Sequence, residues 1–234
     1  MTRTIDIPTF QASIVRYCSP TLAGIKPAAL FTYPGVYASP AGEVPDPQIN
    51  ARRGQLLDVI AACRRELEPA GVRLCVLVWR PCGALVYVYR PAELASYLSN
   101  PQAKKALVAE GYNPQDLLES IVHLAGRITQ ASKSAAVCAC TGARCTLGQG
   151  RTCAEGCTCD FPHEMGYFLG YPYADVREFI NQRGQNYKAL GAWKVYSNVP
   201  EALATFARYK ACTRSFTQIY QQGQSLGALA RQTR

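Results

Sequence analysis

Val72-Arg-Leu-Cys-Val-Leu-Val-Trp79 and Ala84-Leu-Val-Tyr-Val-Tyr89 flank the four residues Arg80-Pro-Cys-Gly83. Valine, leucine and tyrosine dominate both runs, and these residue types suit a pleated, packed surface. The short connection carries turn residues. The pair therefore predicts an antiparallel β-hairpin. The first run is apolar almost throughout, which predicts burial on both faces.

Helical patterns surround this hairpin. Upstream, Leu56, Val59, Ile60, Cys63 and Leu67 form one stripe within 49–67, with Arg52, Arg53, Arg64, Arg65 and Glu66 elsewhere, and Gly71 closes the helix. Downstream, Pro91 opens a helix to about Leu98, and Asn100-Pro101 restarts one to Ala109. A longer helix runs from Gln115 to about Thr129, with the stripe Leu118, Ile121, Val122, Ala125 and Ile128. Pro162 starts a helix through Met165, Phe168 and Leu169, and Ala174–Arg183 is helical again. Gly191–Tyr196 reads as a strand, and 200–222 as an amphipathic helix. Near the N-terminus, β-prone Ile14, Val15 and Tyr17 predict a strand over Ala12–Tyr17 that Cys18-Ser19-Pro20 terminates. Ala28–Tyr33 is either a second strand or the end of a helical turn. Four prolines and two glycines make 34–47 a loop. The basic residues 226–234 are expected to fray. Together these patterns predict an α+β (mixed α/β) fold: three to five strands, including the hairpin, with helices on one or both faces. One globular domain is expected over 1–222, with an excursion at about 135–160 and a basic tail over 223–234.

The chain has 234 residues, 48% hydrophobic and 18% charged, so it can bury a core without staples and is unlike a disordered sequence. Its net charge of +9 favours anionic partners. The basic residues are dispersed in runs no longer than two, which speaks against a nucleic-acid-binding surface. Met1–Pro8 shows no apolar signal region, and the longest apolar run is far shorter than a membrane span. A cytoplasmic protein with reduced thiols is the expectation.

Six of the eleven cysteines lie within one short segment: Cys138, Cys140, Cys145, Cys153, Cys157 and Cys159. Each Cys-x-Cys pair sets two sulfurs on one side of an extended strand, because side chains alternate with period two. Two such pairs can supply four thiolates to one ion, which suits zinc or iron; the additional cysteines allow a bridged Cu(I) or Fe–S arrangement. The segment thus predicts a metal-binding or redox role, with an Fe–S cluster or a Zn, Cu(I) or Fe ion as cofactor. An incidental group of thiols on a variable loop is the alternative. Cys18, Cys63, Cys75, Cys82 and Cys212 are scattered, and Cys63 and Cys75 fall on apolar faces.

Directly after this segment, Pro162-His163-Glu164 begins a helix. Glu164 favours the helix dipole there, while His163 with Glu164 is a candidate acid–base pair. Neighbouring helical residues point about 100° apart, which weakens a shared role. His123 sits within a helix and reads as structural.

The block Phe161-Pro-His-Glu-Met-Gly-Tyr-Phe-Leu-Gly-Tyr-Pro172 is followed by Asp175-Val176, Phe179-Ile180 and Gly191-Ala-Trp-Lys-Val-Tyr196. With Cys18-Ser-Pro-Thr-Leu-Ala-Gly-Ile-Lys26, Leu30-Phe31, Val88-Tyr-Arg90 with Leu94, and Tyr209-Lys-Ala-Cys212, it resembles a bacterial domain-of-unknown-function family, number 3793, common in anaerobes. The resemblance covers roughly residues 13–212 and implies no activity. The cysteine-rich stretch departs from it. Polar residues within the matching motifs are the candidate ligand contacts: Lys26, Arg90, Tyr171 and Lys194, beside His163 and Glu164. Three of the first four are cationic, which would suit a carboxylate or phosphate; Arg90 and Lys194 could equally point from strands into solvent. An enzyme or binding protein for an anionic small molecule is therefore the second functional reading. A basic adaptor for nucleic acid or protein is the third.

Overall fold

The computed structural model of the chain describes residues 5–39, 46–135 and 162–231. The order is α1 (Ile7–Leu22), β1 (Ala28–Tyr33), α2 (Pro47–Leu67), a 3-10 turn (Glu68–Ala70), β2 (Arg73–Arg80), β3 (Gly83–Tyr89), α3 (Pro91–Leu98), α4 (Pro101–Ala109) and α5 (Leu117–Ala135). Then come α6 (Met165–Phe168), α7 (Tyr173–Asn181), β4 (Ala189–Leu190), β5 (Lys194–Val195), α8 (Val199–Gln221) and α9 (Leu226–Arg231). The fold is α+β.

The expected hairpin forms. β2 pairs antiparallel with β3, and β1 pairs with the other edge of β3, giving the order β1-β3-β2. The doubly buried strand is therefore β3, with six of its seven residues buried, rather than the edge strand β2. Alternation along β3 sends Ala84, Val86 and Val88 to one core, which holds Phe10, Ile14, Leu22, Leu56, Ile60 and Leu229. Leu85 and Tyr87 go to the opposite core, with Leu94, Leu107, Leu124 and Phe168. Helices α1, α2 and α9 thus cover one face, and α3 to α6 the other. At Gly83 φ is +144°, and a Cβ would strike the Thr32 side chain and the Tyr33 carbonyl, so this hairpin corner requires glycine.

Several helices begin with the same device, a capping side chain just ahead of a proline. Asp6 accepts from Thr9 N ahead of Pro8, Asp46 from Gln48 N ahead of Pro47, and Asn100 from Gln102 N ahead of Pro101.

Four expectations need correction. Residues 12–17 belong to α1 and not to a strand. The β-branched pair Ile14-Val15 suggests extension, but Phe10, Ile14, Cys18 and Leu22 recur at helical spacing and are all fully buried. Pro20 lies inside the last turn without ending the helix. On α5 the buried face is Ile121, Leu124, Ile128 and Ala131, whereas Leu118 and Val122 are exposed. Residues 191–196 do not form one strand. They hold a tight bend between the two-residue strands β4 and β5, because the Phe206 ring packs directly on Gly191 and leaves no room for a Cβ. Finally, 226–231 does not fray. Leu226 and Leu229 are fully buried, and Gly227 lies against the Glu66 carbonyl of α2.

Candidate functional site

The end of α1 builds the site. Gly24, at φ +68°, takes the left-handed turn after the helix, and the Ile25 and Lys26 amides both return to the Pro20 carbonyl. This folds Lys26 back beside the last turn of its own helix. Gly170, also left-handed, lies so close to Pro27 that a Cβ would overlap the proline ring. That contact sets Tyr171 next to Lys26, whose Nζ stands 4.7 Å from the centroid of the Tyr171 ring and 6.0 Å from that of Tyr209 on α8.

Lys26 forms part of the wall of an open groove of about 640 Å³ between α1 and α8. Tyr17, Pro20 and Thr21 form the α1 side. Helix α8 contributes two lines at i, i+4 spacing, Lys210 with Arg214 and Thr213 with Thr217. The volume suits a small ligand. Among the described residues, three cationic side chains line the groove and no carboxylate does. Thr21 is fully buried, and its hydroxyl oxygen has no hydrogen-bond partner among the described residues.

Electrostatically, Lys26 is the unusual residue. Burial lowers its pKa to about 8, and the buried Cys18 beside it is the one group that opposes this. Desolvation pushes the Cys18 thiol far up, so it stays protonated and supplies no counter-charge. The salt bridges among the described residues leave Lys26 out. Two ring faces, those of Tyr171 and Tyr209, are what its ammonium meets.

The other anticipated ligand contacts are placed elsewhere. Arg90 is neither in the groove nor pointing to solvent. It is 4% exposed, and its guanidinium donates to the carbonyls of Thr21, Leu22, Ala70 and Ala230. It ties the ends of α1, the 3-10 turn and α9 together. Lys194 donates to the Gly184 carbonyl at 2.8 Å and lies over the Phe179 and Tyr187 rings. Tyr171 is the second of the anticipated contacts beside the groove, through its ring under Lys26. Its carbonyl accepts from the Tyr97 hydroxyl.

His163 and Glu164 diverge. Glu164 is buried, accepts from the Tyr112 hydroxyl at 2.7 Å, and pairs with Arg127 at 2.6 Å. Arg127 also reaches Glu110 at 2.7 Å. His163 is exposed, edge-on to Phe179, and does not line the groove. Cys138, Cys140, Cys145, Cys153, Cys157 and Cys159 lie outside the described residues. Among the described residues no group of three or more His, Cys, Asp or Glu forms a metal site, and no helix is long and apolar enough to cross a membrane.

A family model described as protein of unknown function (DUF3793) matches residues 14–230. The chain belongs to the DUF3793 family. No curated protein and no solved structure matches it.

The stretches that carry the DUF3793 resemblance have clear structural duties. Asp175, 2% exposed, accepts from Trp193 Nε1, from the Tyr196 and Ser197 amides and from the Ser197 hydroxyl. It fixes the β4–β5 hairpin to α7 and holds Trp193 against Phe206 of α8. Gly170 and Arg90 set the turn that carries Lys26. Much of the motif thus frames one side of the groove without touching a ligand there. The residues that sequence reading missed are Lys210, Arg214 and Thr21. Lys210 and Arg214 are paired at i, i+4 on α8, a pattern that by itself reads as a solvated face, and no local pattern marks Thr21.

Proposed function

We propose that this DUF3793 protein binds a small anionic molecule in the α1–α8 groove, with Lys26, Lys210 and Arg214 as the cationic contacts. The observation that carries this reading is Lys26 itself. A partly buried ammonium without a carboxylate is costly, and buried charges are ordinarily paired. A carboxylate or phosphate in the groove would supply the missing negative charge. The Thr21 hydroxyl would gain a hydrogen-bond partner in the same step, and Lys210 and Arg214 would add attraction from the rim. Tyr17 and Tyr209 offer flat apolar surface for the rest of the ligand. The positive net charge supports capture of anions at long range. Binding at His163 and Glu164 is the weaker form of this idea, since their side chains do not face one cleft.

Titration with inorganic phosphate and with succinate, followed by calorimetry and thermal shift, tests the proposal. Saturable binding that is lost in Arg214→Ala and weakened in Lys26→Met supports it. Absence of binding by either anion to the wild-type protein rejects it for these ligand classes.

The cysteine density supports a second duty, coordination of zinc, Cu(I) or an Fe–S cluster by the thiolates of 138–159 in a reducing, cytoplasmic setting. The segment joins α5 to α6, away from the cation-lined groove in sequence. Metal analysis of anaerobically purified protein beside a Cys138→Ser/Cys140→Ser variant tests it. Stoichiometric metal lost in the variant is the expected result, and metal-free protein in both cases rejects it.

A further inference from the structure

We infer that Lys26 is a nucleophilic amine that forms an imine with an anionic aldehyde or ketone seated in the α1–α8 groove. This rests on the anion-binding reading and adds the chemical class of the ligand. The argument begins with position. Lys26 Nζ stands beside the Tyr171 and Tyr209 ring faces, on the wall of a groove open to solvent. No hydrogen-bond acceptor or carboxylate among the described residues engages the amine, so its lone pair is not diverted when the proton leaves. Lys210 and Arg214 stand one turn apart on the facing helix, where they can hold a carboxylate or phosphate and leave the carbonyl end of the same molecule to Lys26. The fully buried Thr21 hydroxyl, without a partner, is a ready donor or acceptor for the oxygen of the addition intermediate.

Lysines that act as nucleophiles are desolvated and sit near other cations, because both conditions favour the neutral amine. Lys26 meets the first condition, since burial lowers its pKa to about 8; Lys210 and Arg214 line the same groove. At neutral pH about one-tenth of such an amine is unprotonated, against less than about one-thousandth of an ordinary lysine. The step balances without a redox partner. The Nζ lone pair forms a C–N bond to the carbonyl carbon, and the C=O π pair moves to oxygen, which takes a proton from water. The adduct nitrogen returns one proton to the hydroxide left behind, and loss of the hydroxyl as water, with a second proton, leaves a protonated imine. The net reaction consumes one amine, one carbonyl and one proton, and releases one water. The product keeps a positive charge at Lys26, now adjacent to the bound anion.

The test uses glyoxylate, which carries an aldehyde and a carboxylate, with cyanoborohydride to trap the imine, and peptide mass mapping of the full-length protein at pH 7. Exposed Lys104 and Lys105 are internal references. Labelling of Lys26 at least about tenfold faster than the references, slowed by excess succinate, is expected from the larger neutral fraction. Lys26→Arg keeps the charge but cannot form the imine. With a wild-type circular dichroism spectrum, it should lose the fast label. Succinate binding with Lys26 labelled no faster than Lys104 overturns the imine while leaving the anion site standing. Neither binding nor fast labelling overturns both. Lys26→Met, checked by circular dichroism for folding, should abolish the fast label; its persistence at another lysine also overturns the assignment.

Discussion

Replacing Lys26 with methionine should make the protein more stable at neutral pH, which is unusual for a change at a partly buried site. The native pKa is about 8 against an ordinary value of 10.5. At about 1.4 kcal/mol per pH unit this difference corresponds to ~3 kcal/mol of destabilisation carried by the charged lysine. The open groove admits water and the two aromatic rings attract the ammonium by about 0.5–2 kcal/mol, so the net gain expected for Lys26→Met is about 1–3 kcal/mol. The sign follows from proton counting. Between pH 8 and 10.5 the unfolded chain holds a proton that the native state has released, so wild-type stability rises with pH relative to the variant. Below pH 8 both states are protonated and the native state bears the full cost. Urea denaturation of both proteins at pH 7 and near pH 10 measures this. The variant should lead at pH 7, and its lead should shrink toward pH 10. Tyrosine ionisation near pH 10 is common to both proteins and cancels in the difference. Equal stability at pH 7, or a gap that does not change with pH, would refute the claim that Lys26 is an uncompensated charge. Saturating succinate should narrow the gap at pH 7, because the ligand stabilises wild type selectively.

Arg90→Met should destabilise the fold by about 3–5 kcal/mol, since it strands buried carbonyls at the ends of α1, the 3-10 turn and α9 that four hydrogen bonds now satisfy; urea midpoints would show it, and Arg90→Lys should recover only part. Leu226→Ala should cost about 2–5 kcal/mol, the range for a fully buried leucine, and amide exchange should report protection in α9; a loss below about 0.5 kcal/mol would mean that this helix is not docked. Asp175→Asn should weaken the grip on Trp193 and the 196–197 amides by about 1–3 kcal/mol, visible as a shift of tryptophan fluorescence together with a lower urea midpoint.

The hairpin was readable because its signal is local: two β-prone runs and a turn. Helices α2, α3 and α4 were readable for the same reason, each opened by a proline or closed by a glycine. What escaped depends on neighbours that the sequence does not place. The β2 run is the more apolar, yet β3 is central, because β1 arrives from far upstream and pairs with β3. Ile14 and Val15 favour extension locally, and only the burial of Phe10, Cys18 and Leu22 on one face decides for a helix. On α5, Leu118 fits the apolar stripe as well as Leu124 does, and the position of the sheet selects Leu124.

The same logic governs the site. Lys26, Arg90, His163, Glu164, Tyr171 and Lys194 share one sequence criterion, polarity in apolar surroundings, and that criterion does not tell function from scaffold: it includes exposed His163 beside buried Arg90 and Glu164. The structure separates the two by asking what satisfies each group. Arg90 has four carbonyls, Glu164 has Tyr112 and Arg127, Lys194 has the Gly184 carbonyl, and each is thereby explained as part of the scaffold. Among the described residues Lys26 meets two ring faces and no anion. Its cationic companions on α8 could not be anticipated, because Lys210 and Arg214 read as an ordinary solvated face until α8 is laid along α1. The case for a ligand therefore rests on an imbalance of charge: Arg90, Arg127 and Lys194 each find carbonyls or carboxylates within the scaffold, whereas Lys26 is left to be satisfied from outside.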